Sequence, residues 1–408
     1  MGIIQVITQG FESRLCLTRC SAESQIDKQA VIRLIKINML ICKEVDMKAY
    51  TYIASALALA ISAHAIANTT IVNQNGIGNT ATANQADPTT SGNFAIFTQT
   101  GDNNSSTTSQ ITNSTNSVIN STQIGDNNTV STIEQDNATT STITVLQSGQ
   151  TNLFDATQTN TTSVTSTTTQ IGTSNQFTTT QLNSSLDTAA ITQNGDSNIG
   201  SIVQSSSSGN GIVVTQLGTS NEVDGTQANE SSSTATVFQD GTSNMATFFQ
   251  VAVGSGNVQS TIQLGTGNTS LITQFTSTGG TAELIQDGDS NDADLGQQDG
   301  LGNNLFAEQL GTTNMVFAIQ FGDSNDAEIE QDGLSNSSTL FQLGDLLVAD
   351  VEQIGDSNTV TINQSMMMNT ANITQMGTTN THDTTQATSG NSATATQVGT
   401  SNTGTILQ

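Results

Sequence analysis

The chain has 408 residues, of which 10% are charged and 4% aromatic, with no Trp, one Pro (Pro88) and a formal net charge of −27. All seven basic residues (Arg14, Arg19, Lys28, Arg33, Lys36, Lys43, Lys48) precede residue 49, and residues 53–408 contain no Lys, Arg, Cys, Tyr or Trp. That body cannot neutralise nucleic-acid phosphates, close a disulfide, bind metal through thiolates or use a cysteine or lysine nucleophile, which excludes nucleic-acid binding and most catalysis.

Residues 1–46 hold Cys16, Cys20 and Cys42, and this spacing does not match the usual zinc patterns. Residues 47–67 (MKAYTYIASALALAISAHAIA) combine one basic residue, an apolar run of 11 residues from Ile53 to Ala63 and the small-x-small triplet Ala65, Ile66, Ala67. This predicts a secretory signal peptide cleaved after Ala67, since the apolar run is about half of the roughly 20 residues that span a bilayer. An export signal needs a position near the start of translation. Residues 1–46 are therefore expected to be a mis-assigned extension, with translation beginning at Met47 and residues 68–408 forming the mature chain.

Within residues 68–408 the string Q-x-G-x-x-N forms a series of fifteen copies at spacings of 22 to 25, from Gln74 through Gln309, Gln331, Gln353 and Gln375 to Gln397, and some second halves regain it, at Gln298 and Gln320. A second Gln follows each anchor by 11 residues in fourteen of the fifteen cases, Gln135 being displaced by one. Between them apolar residues alternate, as strands require. Asn325, Ala327, Ile329 and Gln331 fall on one face, and Asp326, Glu328 and Glu330 on the other. After each Gln a turn such as IGDSN or LGTSN is expected, with Gly311, Gly333, Gly355, Gly377 and Gly399 supplying backbone freedom. A unit this short cannot bury its apolar face alone and must stack on its neighbours. The predicted fold is all-β: a β-solenoid or cross-β stack of about fifteen strand-turn-strand repeats of 22–25 residues.

Stacking places like on like. Gln309, Gln331, Gln353, Gln375 and Gln397 are expected to form an internal amide ladder at roughly 4.8 Å, accompanied by Asn303, Asn325, Asn369 and Asn391. Outside, Glu308, Glu330 and Glu352 share one column. Residues 68–408 carry 29 acidic side chains, the chain's 34 less Glu12, Glu23, Asp27, Glu44 and Asp46. Each stacked Glu pair repels by about 1 kcal/mol even at water's dielectric constant, so these three are read as gatekeepers that slow assembly. Thr and Ser replace many apolar residues between Gln99 and about Gln193, so the later coils are expected to pack better.

The recurrence of Gln, Gly, Asn and a second Gln in register resembles the curlin repeat, over about residues 74–408. That resemblance implies a secreted bacterial subunit that self-assembles into extracellular amyloid fibres for adhesion and biofilm matrix. It implies as partners other copies of itself joined head to tail, a nucleator and an outer-membrane secretion pore. No catalytic residue, cofactor or metal is assigned. The alternative is a monomeric acidic solenoid at the cell surface, with turns such as GDSN offering oxygens to calcium. His382, with Asp383 beside it, is read as a substitution at an inward position rather than a base. Met366, Met367 and Met368 are placed in a turn. The Thr-rich strands are not expected to keep the continuous Thr column that an ice-binding face requires.

Overall fold

The computed structural model describes residues 5–9, 12–16, 68–252 and 254–408. The proposed signal peptide, residues 47–67, lies outside them. Near the N-terminus Gln5–Gln9 and Glu12–Cys16 form a short antiparallel hairpin. The body is two parallel sheets of 15 strands each, one running from Thr69–Asn75 to Ser392–Thr400 and the other from Thr80–Asn84 to Thr403–Leu407. Consecutive strands alternate between the sheets, so each successive pair is one coil of a solenoid. Coils are numbered 1 to 15 in chain order below, each with a first-sheet and a second-sheet strand.

Alternation dictates the cross-section. In the coil 12 strand Asp326–Leu334 the residues Ala327, Ile329 and Gln331 are buried, while Asp326, Glu328 and Glu330 are exposed. The core is then a set of columns, each one residue wide. Leu284, Ala307, Ile329, Val351 and Ile373 stack on the first sheet, facing Leu295, Ala318, Leu340 and Ile362 on the second. Each buried Leu, Ile or Val contributes about 1.5–3 kcal/mol, and a one-residue slip would exchange Ile329 or Val351 for a carboxylate such as Glu330 or Glu352.

The register follows the sequence offsets. Gln135, the displaced second Gln, still stacks between Gln110 and Gln158. The register shift in its strand falls at Ser131, which the ladder skips while Val130 and Thr132 pair with Phe154 and Asp155. One extra residue is thus absorbed as a bulge before it reaches the ladder.

Two expectations need correction. The segment after the first Gln is not a separate turn: from coil 3 onward the first-sheet strands run nine residues, as in Asp326–Leu334, because Gln, x, Gly and x pair in register even where the backbone bends. Nor are the early coils less buried. Phe97, Phe154, Phe177 and Phe248 are the largest fully enclosed side chains. Room for two of them comes from glycine in the adjacent coil. A Cβ on Gly200 would lie 2.1 Å from the Phe177 ring, and one on Gly225 2.1 Å from Phe248. Buried polar atoms without a partner occur in both halves: the hydroxyls of Ser166, Thr168 and Thr179 in coil 5, and the Gln259 amide and the Ser277 hydroxyl further along. The apolar core is divided into three clusters, in coils 1–2, coils 3–8 and coils 9–15.

Insertions at the second turn build a corner of their own. Ser91, Thr115, Thr139, Thr162, Ser185, Ser208, Ser231, Ser255 and Thr278 pair in succession as single-residue parallel bridges, ending on Leu301. A hydroxyl column therefore does exist, on this corner rather than within the Thr-rich strands. It stops where later coils take a turn one residue shorter, such as GDSN at residues 322–325.

Candidate functional site

The residues that join one coil to the next are the functional surface of a repeat chain. Each Gln closes the inward face of a strand, where its amide lies along the stacking direction. Gln309 Nε2 donates to Gln331 Oε1 at 3.0 Å, Gln331 to Gln353 at 2.8 Å, Gln353 to Gln375 at 3.0 Å and Gln375 to Gln397 at 2.7 Å. A second ladder runs through Gln297, Gln320, Gln342, Gln364, Gln386 and Gln408 at 2.9–3.1 Å. The other amide hydrogen crosses the core: Gln331 donates to the Met315 carbonyl at 3.0 Å and Gln320 to that of Asn304 at 2.7 Å. Each Gln thus ties three strands together. The vertical bonds were legible in the sequence; the crossing bonds were not, because they depend on how the two sheets face each other.

The Asn positions bridge differently. Asn303 Oδ1 accepts the Asn325 backbone N–H at 2.9 Å, and Asn303 Nδ2 donates to the Gly322 carbonyl of the next coil at 2.8 Å. Asn325 repeats both bonds, to Leu347 N–H at 3.0 Å and Gly344 O at 2.8 Å. Leu347, buried where Asn is expected, interrupts the column. Asn369 resumes it, accepting the Asn391 N–H at 2.8 Å. The turn glycines Gly311, Gly333, Gly355, Gly377 and Gly399 all have φ between 107° and 127°. A Cβ on any of the first four would lie 2.0–2.2 Å from the next glycine's carbonyl oxygen. This spacing admits only glycine.

Glu308, Glu330 and Glu352 pair in successive coils of the first sheet. Burial, then Glu328, Glu308, Glu352 and Asp350, push Glu330 above the ordinary carboxylate range. Its contribution is therefore most favourable below that range and is lost as pH rises through its raised value. Glu330→Gln is expected to raise the urea midpoint and shorten the assembly lag at pH 7, and to match the wild type near pH 3. An equal gain at both pH values would show that charge is not the cause.

Aspartates in the G-D turns bond between coils: the N–H groups of Thr173, Leu301 and Asp323 donate at 2.9 Å to Asp196, Asp323 and Asp345. Among the described residues no group of three His, Cys, Asp or Glu is placed to hold a metal. His382 is inward and 2% exposed, its Nε2 2.8 Å from Thr384 Oγ1 and its Nδ1 without a partner. Burial, against the opposing effect of Asp383, holds it below the usual imidazole range. Met366, Met367 and Met368 are exposed at the second turn of coil 13. No helix among the described residues is long and apolar enough to cross a membrane.

Two consecutive segments, residues 303–333 and 334–365, match the family model of the curlin associated repeat. They span coils 11 to 13, where the ladders, turn glycines and acidic column described above coincide. No curated protein matches the chain. The chain is of all-β, solenoid architecture, with the same Gln and Gly positions stacked in register from coil to coil, and its residues 303–365 are similar to the curlin associated repeat.

Proposed function

We propose that the chain is the secreted subunit of a curli-type extracellular fibre that serves adhesion and biofilm matrix. Residues 47–67 act as its export signal, and residues 68–408 assemble head to tail. A nucleator at the cell surface and an outer-membrane secretion pore are its expected partners. One observation carries the reading: the Gln amide bonds that join coils recur from one end of the stack to the other. Gln74 donates to Gln99 at 2.7 Å, as Gln375 does to Gln397. A surface that repeats every coil accepts the first coil of another copy as readily as its own next coil, and this growth does not close.

The second reading, a solitary acidic solenoid at the cell surface, draws on the 29 acidic side chains of residues 68–408, which have no basic partner there. Dilution of residues 68–408 from denaturant separates the two. Unbranched fibres that bind thioflavin, grow faster when seeded and diffract near 4.8 Å and roughly 10 Å are expected. A soluble β-rich monomer at high concentration would overturn the fibre reading and favour the second.

A further inference from the structure

The two outer faces of the solenoid differ in chemistry. On the first sheet, coils 10–13 present Glu283, Glu308, Glu328, Glu330, Asp350 and Glu352 outward. On the second sheet, coils 11 and 12 present Phe317, Ile319, Phe321, Phe341 and Leu343 outward, with Phe317 and Phe341 edge to face at 5.5 Å between ring centres. Phe249, Leu271 and Phe275 make a smaller patch on coils 8 and 9. Between the patches lies coil 10, with Asp292, Asp294 and Gly296. Leu343 is 48% exposed and Phe275 40%, although inward sites are filled by Ser and Thr elsewhere in the same solenoid.

We propose that this second-sheet face of coils 8–12 is an interface between two copies of the chain, packed sheet on sheet. Five strands at about 4.8 Å by seven residues at about 3.3 Å give a face of roughly 24 by 23 Å, about 1,100 Å² over two copies, which reaches the roughly 1,000 Å² of a specific interface. Charge selects the occupant. The first-sheet face of another copy would carry carboxylates onto phenylalanine, and two first-sheet faces would repel, so a second copy meets this one only through the same apolar face. Either two-fold axis lying between the faces, along the solenoid or along the strands, sets coil 10 on coil 10 and covers both patches. The interface joins copies side by side and stands whether they are single solenoids or lie in fibres.

Coil 10 gives the interface a pH dependence. Asp292 and Asp294 are the carboxylates at the centre of this face; the flanking strands Thr269–Phe275 and Met315–Phe321 carry none, and Asp345 ends the coil 12 strand. In the paired state they face their counterparts in the other copy. Burial, then Asp292, already pushes Asp294 upward in one copy. Pairing that removes water from Asp294 takes up protons and tightens as pH falls.

The test uses the full chain with Cys16, Cys20 and Cys42 replaced by serine. A single cysteine at Gly296, where a Cβ would find its nearest neighbour, Ile319 Cγ1, at an ordinary 3.5 Å, is expected to form an interchain disulfide on oxidation, whereas Glu328→Cys on the acidic face is not. Separately, Ile319→Asp with Phe341→Asp is expected to leave the circular dichroism unchanged while halving filament width, or, if the chain stays soluble, turning a sedimenting dimer into a monomer. Equal cross-linking from both faces would overturn the interface. So would a double variant that stays folded and associates as the wild type does.

Discussion

Gly333→Ala is expected to open the stack between coils 12 and 13. Gly333 has φ 127°, and its added Cβ would lie 2.1 Å from the carbonyl oxygen of Gly355, a backbone atom held in turn by the Asn336 amide at 2.7 Å. Neither side can yield by rotating a side chain. Left-handed strain of about 1–3 kcal/mol and overpacking of about 1–3 kcal/mol act together, so a loss of about 3–5 kcal/mol is expected. Gly256→Ala is the control: its φ is 65°, but nothing lies within 4 Å of the added Cβ, so only about 1 kcal/mol of strain is expected. Urea melts of the two variants, with limited proteolysis to locate the opening, check the ordering. Equal losses would mean that the glycine stack is not what sets the spacing of the coils.

Gln331→Glu carries the second large effect, and its sign depends on pH. Gln331 Nε2 lies within donating distance of Gln353, Met315 and Ser338, while its Oε1 accepts from Gln309 at 3.0 Å. An ionised carboxylate there keeps the acceptor role and loses every donor, in a site 1% exposed and without a basic residue. Burial raises the folded-state pKa above the unfolded value of about 4.3. Stability is then retained below about pH 4 and lost as pH rises through the folded value. The variant should fall about 3–5 kcal/mol below the wild type at pH 7, the scale of an unpaired buried charge, and approach it near pH 4. Gln331→Met removes the hydrogen bonds without adding charge, and a pH-independent loss of about 1–3 kcal/mol is expected. A Glu variant whose deficit is the same at pH 4 and pH 7 would contradict the assignment of Gln331 to a dry, donor-demanding site.

Much of this architecture is legible in the chain because the repeat writes each decision many times. The inward set Asn325, Ala327, Ile329, Gln331 and the outward set Asp326, Glu328, Glu330 are readable from alternation alone, and the ladders follow once like stacks on like. Features that depend on unlike residues meeting across coils are not readable in that way. Phe177 over Gly200 and Phe248 over Gly225 look like a bulky and a weak strand position until register sets one against the other. The bulge at Ser131 appears in the sequence only as one displaced Gln. The hydroxyl corner from Ser91 to Thr278 is hidden by the variable turn inserts that create it. Composition also misleads: the Thr-rich early coils read as poorly packed, yet their strands bury Phe154 and Phe177 completely. The contrast between an acidic first sheet and an apolar second sheet emerges only when the outward residues of alternate strands are assigned to separate faces.

Mass per length of single filaments tests the central claim most directly. If each copy keeps its fifteen coils and joins the next by one more coil spacing, one chain occupies roughly 70 Å of filament, at about 4.8 Å per coil. The expected result is one chain per roughly 70 Å, or two where filaments pair side by side. One chain in every layer of about 4.8 Å would mean that the chains stack flat rather than as solenoids, and would contradict the fold as the unit of assembly.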